Sequence, residues 1–349
     1  VRLPQAEASS RETPIPRGFN LVLTGTALLW AVASRIVAER AASGLTSRWP
    51  FYPLQPLLSA IFLLFLVVVG FALLEWIATR GGSLRSIVSL PLRPGWAREW
   101  GIGAAVGWGL ALAAVLPVLL SGRLVGHLFT GLPMFGLAAV AIATLAVMSL
   151  VEELVFRGYA FRRLIEAMGP TWASLVLSFV FALMLLQGNP PERLLNGLVV
   201  GMLFGLILAM AYLRTHALWV GWGVHFAYRA VTAVVLGLPI AGRGDLATVT
   251  DSFARGPTWL TGGQFGLDGA LITVPLMIAA FAAVFRLTRW YAWEYTHPEI
   301  VAAGYEVTVA PPAAHLAMEK TTGAVPPPLV QILPATPQSR STETTDESA

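Results

Sequence analysis

Long apolar runs broken by short polar stretches set the plan of this chain. The runs extend over Phe19–Val37, Leu54–Thr79, Trp100–Leu120, Phe135 into Glu152-Glu153, Trp172–Leu186, Leu194–Leu213, Leu218–Leu238 and Phe265–Leu287. A membrane-crossing helix needs roughly 20 mostly apolar residues, so this spacing predicts about eight such helices. They form one membrane domain over 19–289, between a polar tail at 1–18 and a Pro-rich, Ser/Thr-rich and acidic tail at 290–349 that is read as partly disordered. The first run lacks a small-residue cleavage site and reads as an anchor rather than a signal peptide. Glycines recur along the third and sixth runs, Gly101, Gly103, Gly107 and Gly109 in one and Gly197, Gly201 and Gly205 in the other, where they would let helices approach closely or associate in a larger complex.

Composition agrees with the pattern and excludes some chemistry. Hydrophobic residues make up 56% of the 349 residues and charged residues 12%, far from the roughly 25% charged of a soluble domain. Cysteine is absent, which removes disulfides, thiolate nucleophiles and thiolate metal sites. The net charge of +4 is carried by arginines scattered singly near run ends. That arrangement sets topology rather than a nucleic-acid surface. Placing the amino-terminal tail, the Arg80–Arg98 loop, the Arg157–Arg163 segment, Arg214 and the carboxyl tail on one side gathers most of the basic residues there. By the positive-inside rule both termini are then cytoplasmic. The loop Pro239–Gly263, with Asp245 and Asp251, is external, and Glu75 reads as an interfacial residue.

Against this background Glu152 and Glu153 stand out, two adjacent acids at the end of an apolar run. A carboxylate inside the bilayer costs roughly 2.5–3.5 kcal/mol on insertion scales and usually faces protein or a wet cavity. On a continuous helix Glu153 and Arg157 lie at i and i+4 with the acid first, the favourable order, while Glu152 points about 100° away without a local partner. Such a carboxylate can act as a general base toward water. On the seventh run Trp222, His225 and Arg229 share one helical face, which makes His225 a candidate partner. Arg229 has two readings, a cation that polarises a carbonyl or the ion-pair partner of Glu152, and an arginine inside a bundle calls for an anion. Glu152, Glu153 and His225 are also the available ligands for zinc, a weak set with no second histidine or thiolate, so no cofactor is expected.

Several blocks, taken in order, resemble a known family. Glu152-Glu153-x-x-x-Arg157, Phe181-Ala182-Leu183-Met184-Leu185 before Gly188-Asn189-Pro190, Tyr212-Leu213-Arg214-Thr215 and His225-Phe226-Ala227-Tyr228-Arg229 are similar to the CAAX-protease and bacteriocin-processing (CPBP, or Abi) family over about 93–237. The resemblance implies an all-α polytopic membrane bundle with a cytosol-facing cavity, in a bacterial inner membrane. In active members it implies a glutamate-dependent intramembrane endopeptidase. Carried over, Glu152 matches the water-activating glutamate, Glu153 and Arg157 its companions, and His225 the carbonyl-polarising histidine. Two positions depart: Leu185 stands where a second histidine is expected and Arg229 where asparagine is expected, with Gln187 or Asn189 as nearby hydrogen-bonding substitutes. The resemblance therefore implies either a non-catalytic homologue that binds a peptide, lipid or membrane partner, or an active peptidase with Glu152 as base and His225 and Arg229 on the oxyanion.

Overall fold

The computed structural model describes residues 15–48, 52–79, 88–129, 131–186, 194–242, 246 and 248–291. Gln187, Asn189, Asp245 and both distal tails, for which expectations were stated above, lie outside the described residues. Among the described residues, nine α-helices of more than one turn follow in order: α1 Arg17–Thr46, α2 Gln55–Thr79, α3 Trp96–Leu120, α4 Leu132–Glu153, α5 Ala160–Met168, α6 Pro170–Leu185, α7 Leu194–Thr215, α8 Trp219–Arg229 and α9 Thr273–Leu287. Among the described residues, five stretches are long and apolar enough to cross a membrane, namely Arg17–Thr46, Tyr52–Thr79, Trp96–Leu120, Pro133–Met168 and Leu195–Thr215. Pro170–Leu185 and Thr273–Leu287 are apolar but shorter.

The seventh and eighth apolar runs differ from expectation in the form they take. The seventh is α-helical over α8 alone and continues as a π-helical turn, Ala230–Val235. The eighth is not helical from Phe265. Gly262 and Gly266 adopt φ of 69° and 82°, values that glycine takes readily and that break a helix. The chain makes two tight turns over Gly263–Phe265 and Leu267–Gly269 before α9 begins at Thr273. The all-α expectation also needs a small correction. Leu124–Leu128 (β1) and Thr250–Ala254 (β2) pair antiparallel, Leu124 opposite Ala254 and Leu128 opposite Thr250. These segments join α3 to α4 and follow the π turn after α8, and pairing satisfies backbone groups that helices cannot reach there.

Backbone-to-backbone approach sets the centre of the bundle. A Cβ on Gly103 would fall 2.1 Å from the Val220 carbonyl oxygen, one on Gly107 2.2 Å from that of Val224, and one on Gly223 2.3 Å from that of Trp100. α3 and α8 therefore cross with glycine on both sides of the contact. Similarly, Gly201 and Gly205 of α7 lie against Ala182 and Ser178 of α6. These two stripes pack inside the bundle, whereas Gly101 and Gly109 of α3 have open space beside them. α1 rests on α2 through Trp30, whose ring covers Gly70 and whose Nε1 donates to the Leu66 carbonyl at 2.9 Å.

The end of the bundle away from the β pair is tied by polar contacts. Arg93 donates from Nε and Nη2 to Glu99, each at 2.7 Å, and from Nη2 to the Thr215 carbonyl at 2.9 Å, capping the end of α7. Glu75, expected at the interface, is instead buried and receives a hydrogen bond from Arg163 of α5. That pair anchors α5 to α2.

Candidate functional site

The site is assembled by α4 and the turn that follows it. Glu152 and Glu153 end α4, and the chain then widens into a π-helical turn over Leu154–Tyr159, where Gly158 leaves helical geometry with φ −85° and ψ −115°. The expected uninterrupted helix is thus broken beside the acids, as π turns often are at functional positions. Gly158 supplies a residue without Cβ where the ladder opens.

α8 brings the remaining groups. Trp222 donates from Nε1 to the Ala146 carbonyl at 2.9 Å, which holds this face of α8 against α4. His225, fully buried, then lies between the two acids: Nδ1 is 2.7 Å from Glu153 Oε1 and Nε2 is 3.4 Å from Glu152 Oε2. One proton must sit on the short Nδ1–Oε1 line, because two lone pairs would repel. One turn further on, Arg229 donates from Nη1 to Glu152 Oε1 at 2.8 Å. Arg229 thus forms the ion pair with Glu152 and gives it the partner its own helix lacks.

Glu153 and Arg157 do meet, but loosely, with Oε1 and Nη1 3.5 Å apart. The tighter partner of Glu153 is His225. Arg157 instead donates from Nη2 to the Gly205 carbonyl at 3.1 Å and stacks its guanidinium 4.5 Å from the Phe181 ring centroid. Phe181 and Phe204 set their rings edge-on to His225, at centroid distances of 5.8 and 5.3 Å. Gly221 makes room for the second acid: a Cβ there would lie 3.0 Å from Glu153 Oε2. All five predicted residues, Glu152, Glu153, Arg157, His225 and Arg229, therefore converge. They come from two segments far apart in sequence.

Leu185 does not join them as a polar group. It lines a cavity of about 20 Å³ together with Gly201, Phe204, Tyr228, Arg229 and Asp268, a volume close to that of one water. Phe265, from the turns before α9, completes its lining beside Leu185 and Phe204. As for metal, no group of three His, Asp or Glu side chains among the described residues has the arrangement to hold an ion. His225 presents both ring nitrogens to carboxylates.

Two residues of this region were not singled out from the sequence. Tyr228 donates its hydroxyl to Asp268 Oδ1 at 2.6 Å, and the Ala241 backbone N–H donates to Oδ2 at 3.0 Å. Burial pushes the Asp268 carboxyl above the usual carboxylate range, against the opposing pull of these two hydrogen bonds. The signal available was a single acid in the glycine-rich stretch Gly266-Leu267-Asp268-Gly269. Nothing local distinguishes it from a surface turn.

A helical bundle with several helices long and apolar enough to cross a membrane, and with carboxylates, a histidine and arginines buried at its centre, defines an integral membrane protein with a buried cluster of ionisable groups. Residues 133–231 match the family model described as type II CAAX prenyl endopeptidase Rce1-like, the family that the spaced blocks of this chain resemble. The matched segment runs from α4 into the π turn after α8 and includes all five converging residues. No curated protein and no solved structure matches the chain.

Proposed function

We propose that this chain is a non-catalytic homologue of the CAAX endopeptidases, in which the Glu–His–Arg cluster holds the bundle together while the protein binds a peptide, a lipid or a membrane-protein partner. The observation that carries this reading is the 2.8 Å ion pair between Glu152 and Arg229. A general base must offer a free lone pair to water within hydrogen-bond reach. Here one oxygen of Glu152 is engaged by a guanidinium, and the other faces the buried His225. Leu185, at the position of the expected second histidine, can neither orient water nor take a proton. Catalytic groups act as a unit, so losing one member removes most of the rate. No cofactor is required in this reading. We place it in a bacterial inner membrane, and the arginine distribution favours both termini on the cytoplasmic side.

One observation favours the alternative, an active peptidase with Glu152 as base and His225 with Arg229 on the oxyanion. Glu152 Oε2 and His225 Nε2 are both buried without a hydrogen-bond partner, and such a pair is suited to sharing a water. The deciding experiment is cleavage of a membrane-anchored peptide library by purified protein in nanodiscs. We expect silence from wild type and from Glu152→Gln, with activity appearing when Leu185→His and Arg229→Asn are combined. Cleavage by wild type that disappears in Glu152→Gln would replace the proposal with the active reading.

A further inference from the structure

The β1–β2 pair is covered along one edge and open along the other. Arg255 donates its backbone N–H to the Arg123 carbonyl at 2.8 Å, and Phe129 donates to that of Val249 at 2.9 Å. With Leu124 opposite Ala254 and Leu128 opposite Thr250, these two bonds fix the alternation of an antiparallel ladder. The odd-numbered residues of β1 bond to β2, while Leu124, Gly126 and Leu128 turn N–H and C=O the other way. On β2 the outer edge meets the bundle. Gly237 packs so closely there that a Cβ on it would fall 1.8 Å from the Thr250 carbonyl oxygen, and the Thr250 hydroxyl donates to the Val235 carbonyl. Nothing comparable covers β1. Among the described residues the backbone groups of Leu124, Gly126 and Leu128 make no hydrogen bond beyond the ladder, and Gly126, His127 and Leu128 are exposed, Leu128 at 65%.

An open edge is a template for another strand, and proteins commonly blunt one with charge, proline or a bulge. β1, Leu124-Val125-Gly126-His127-Leu128, has no proline and no residue of fixed charge, and its register runs unbroken. Unpaired backbone groups are not tolerated in hydrocarbon, so this edge stands in water or among headgroups, where a partner can reach it. The neighbouring side chains set what pairs there. Leu124 and Leu128 flank Gly126 on one face, so a strand residue opposite Gly126 meets no side chain and a bulky apolar one fits between the leucines. Arg123 and Arg255 are exposed at one end of the sheet with no ion pair among the described residues, and Asp251 is exposed toward the other end. That polarity favours a segment running antiparallel to β1 with an acid at its carboxyl end, beside the two arginines. A second copy of β1 matches less well, because it would set glycine against glycine and bring no acid. We propose that β1 binds an extended peptide segment as a third strand, antiparallel, with a bulky apolar residue opposite Gly126 and an acid toward Arg123 and Arg255. This names the peptide among the partners proposed above and rests on that reading.

Purified protein in nanodiscs would be titrated with the amidated peptide Thr-Thr-Phe-Val-Val-Glu, labelled with fluorescein at its amino end, so that Phe falls opposite Gly126 and Glu opposite Arg123. Anisotropy reads binding, and hydrogen–deuterium exchange reads the backbone over 123–129. We expect saturable binding with slowed exchange in that segment. N-methylation of Phe and the second Val, whose N–H groups face β1, should weaken binding at least about tenfold, as the loss of two hydrogen bonds gives. N-methylation of the second Thr and the first Val, whose N–H groups face away, should change it by less than about threefold. Leu128→Pro, which removes an outward N–H and keeps the ladder to β2, should weaken it about five- to tenfold. Arg123→Gln with Arg255→Gln should erase a preference of about two- to fivefold for Glu over Gln at the peptide's end. No saturable binding, equal loss from either N-methylated pair, or unchanged exchange over 123–129 would overturn the proposal. So would protein dimers in native mass spectra that Leu128→Pro disperses, which would give the edge to a second copy. The N-methylated peptides test the strand where Leu128→Pro fails to fold. Failure here is distinct from failure of the non-catalytic reading, which wild-type cleavage alone decides.

Discussion

Arg229 decides how the acids of this protein behave. The side chains of Glu152 and Arg229 retain 13% and 11% exposure, so removing one partner strands a largely buried charge. Breaking such a pair costs about 3–5 kcal/mol, while replacing both members with neutral groups is far less costly. We therefore expect Arg229→Gln to destabilise the protein by about 3 kcal/mol and the Glu152→Gln, Arg229→Gln double variant to recover most of that loss. A double-mutant cycle of urea unfolding in detergent measures it. Additive losses would show that the pair contributes nothing as a pair. Sequence alone named all five converging residues and left Arg229 with two readings, a carbonyl-polarising cation or the ion-pair partner of Glu152. The choice was made by α8 docking on α4, which puts Nη1 of Arg229 on Glu152 and Nδ1 of His225 on Glu153. The i, i+4 partner, Arg157, keeps within 3.5 Å of Glu153 and also reaches Gly205 and Phe181.

Among the elements, the α3–α8 crossing determines where His225 and Arg229 stand. Gly223→Ala would set a methyl group 2.3 Å from the Trp100 carbonyl and 2.7 Å from the Ala104 nitrogen. Neither backbone atom can move without shifting a helix, and overpacking of this kind costs about 1–3 kcal/mol. By contrast Gly101→Ala and Gly109→Ala, with nothing within 4 Å of the new atom, should be neutral or stabilise the helix by up to about 1 kcal/mol. Thermal unfolding of the three variants separates these outcomes. The α3 sequence shows four glycines that look alike. Which of them face a neighbour depends on the rotation of α3 about its axis, and that is settled by the partner helix.

Taken as a whole molecule, the chain closes its centre with the turns that precede α9. Phe265 reaches Gly197 at the start of α7, and Asp268 is held on Tyr228, next to Arg229 in sequence. Tyr228→Phe leaves Asp268 Oδ1 without its donor and should cost about 1–3 kcal/mol. The absence of cysteine makes a direct test available. A single cysteine placed at Leu185, which lines the small cavity, should react slowly with a water-soluble thiol reagent in the parent protein. It should react several-fold faster, on the order of the fraction opened by such a loss, when Tyr228→Phe is added. Equal rates would show that these turns do not restrict access to the cavity.

The apolar runs by themselves determined that this is a helical membrane protein, because a polypeptide that leaves water must satisfy its backbone internally and helices do so within one segment. The spacing of Glu152, Arg157, His225 and Arg229 likewise marked the segment that holds the ionisable cluster and that matches the Rce1-like family model. Tertiary structure alone decided the pairing of those groups, the insertion of Asp268 beside them, and the burial of Glu75 on Arg163. These outcomes depend on which helix faces meet. A side chain's partner across such a contact lies tens of residues away, and no local pattern encodes the rotation that brings the two together.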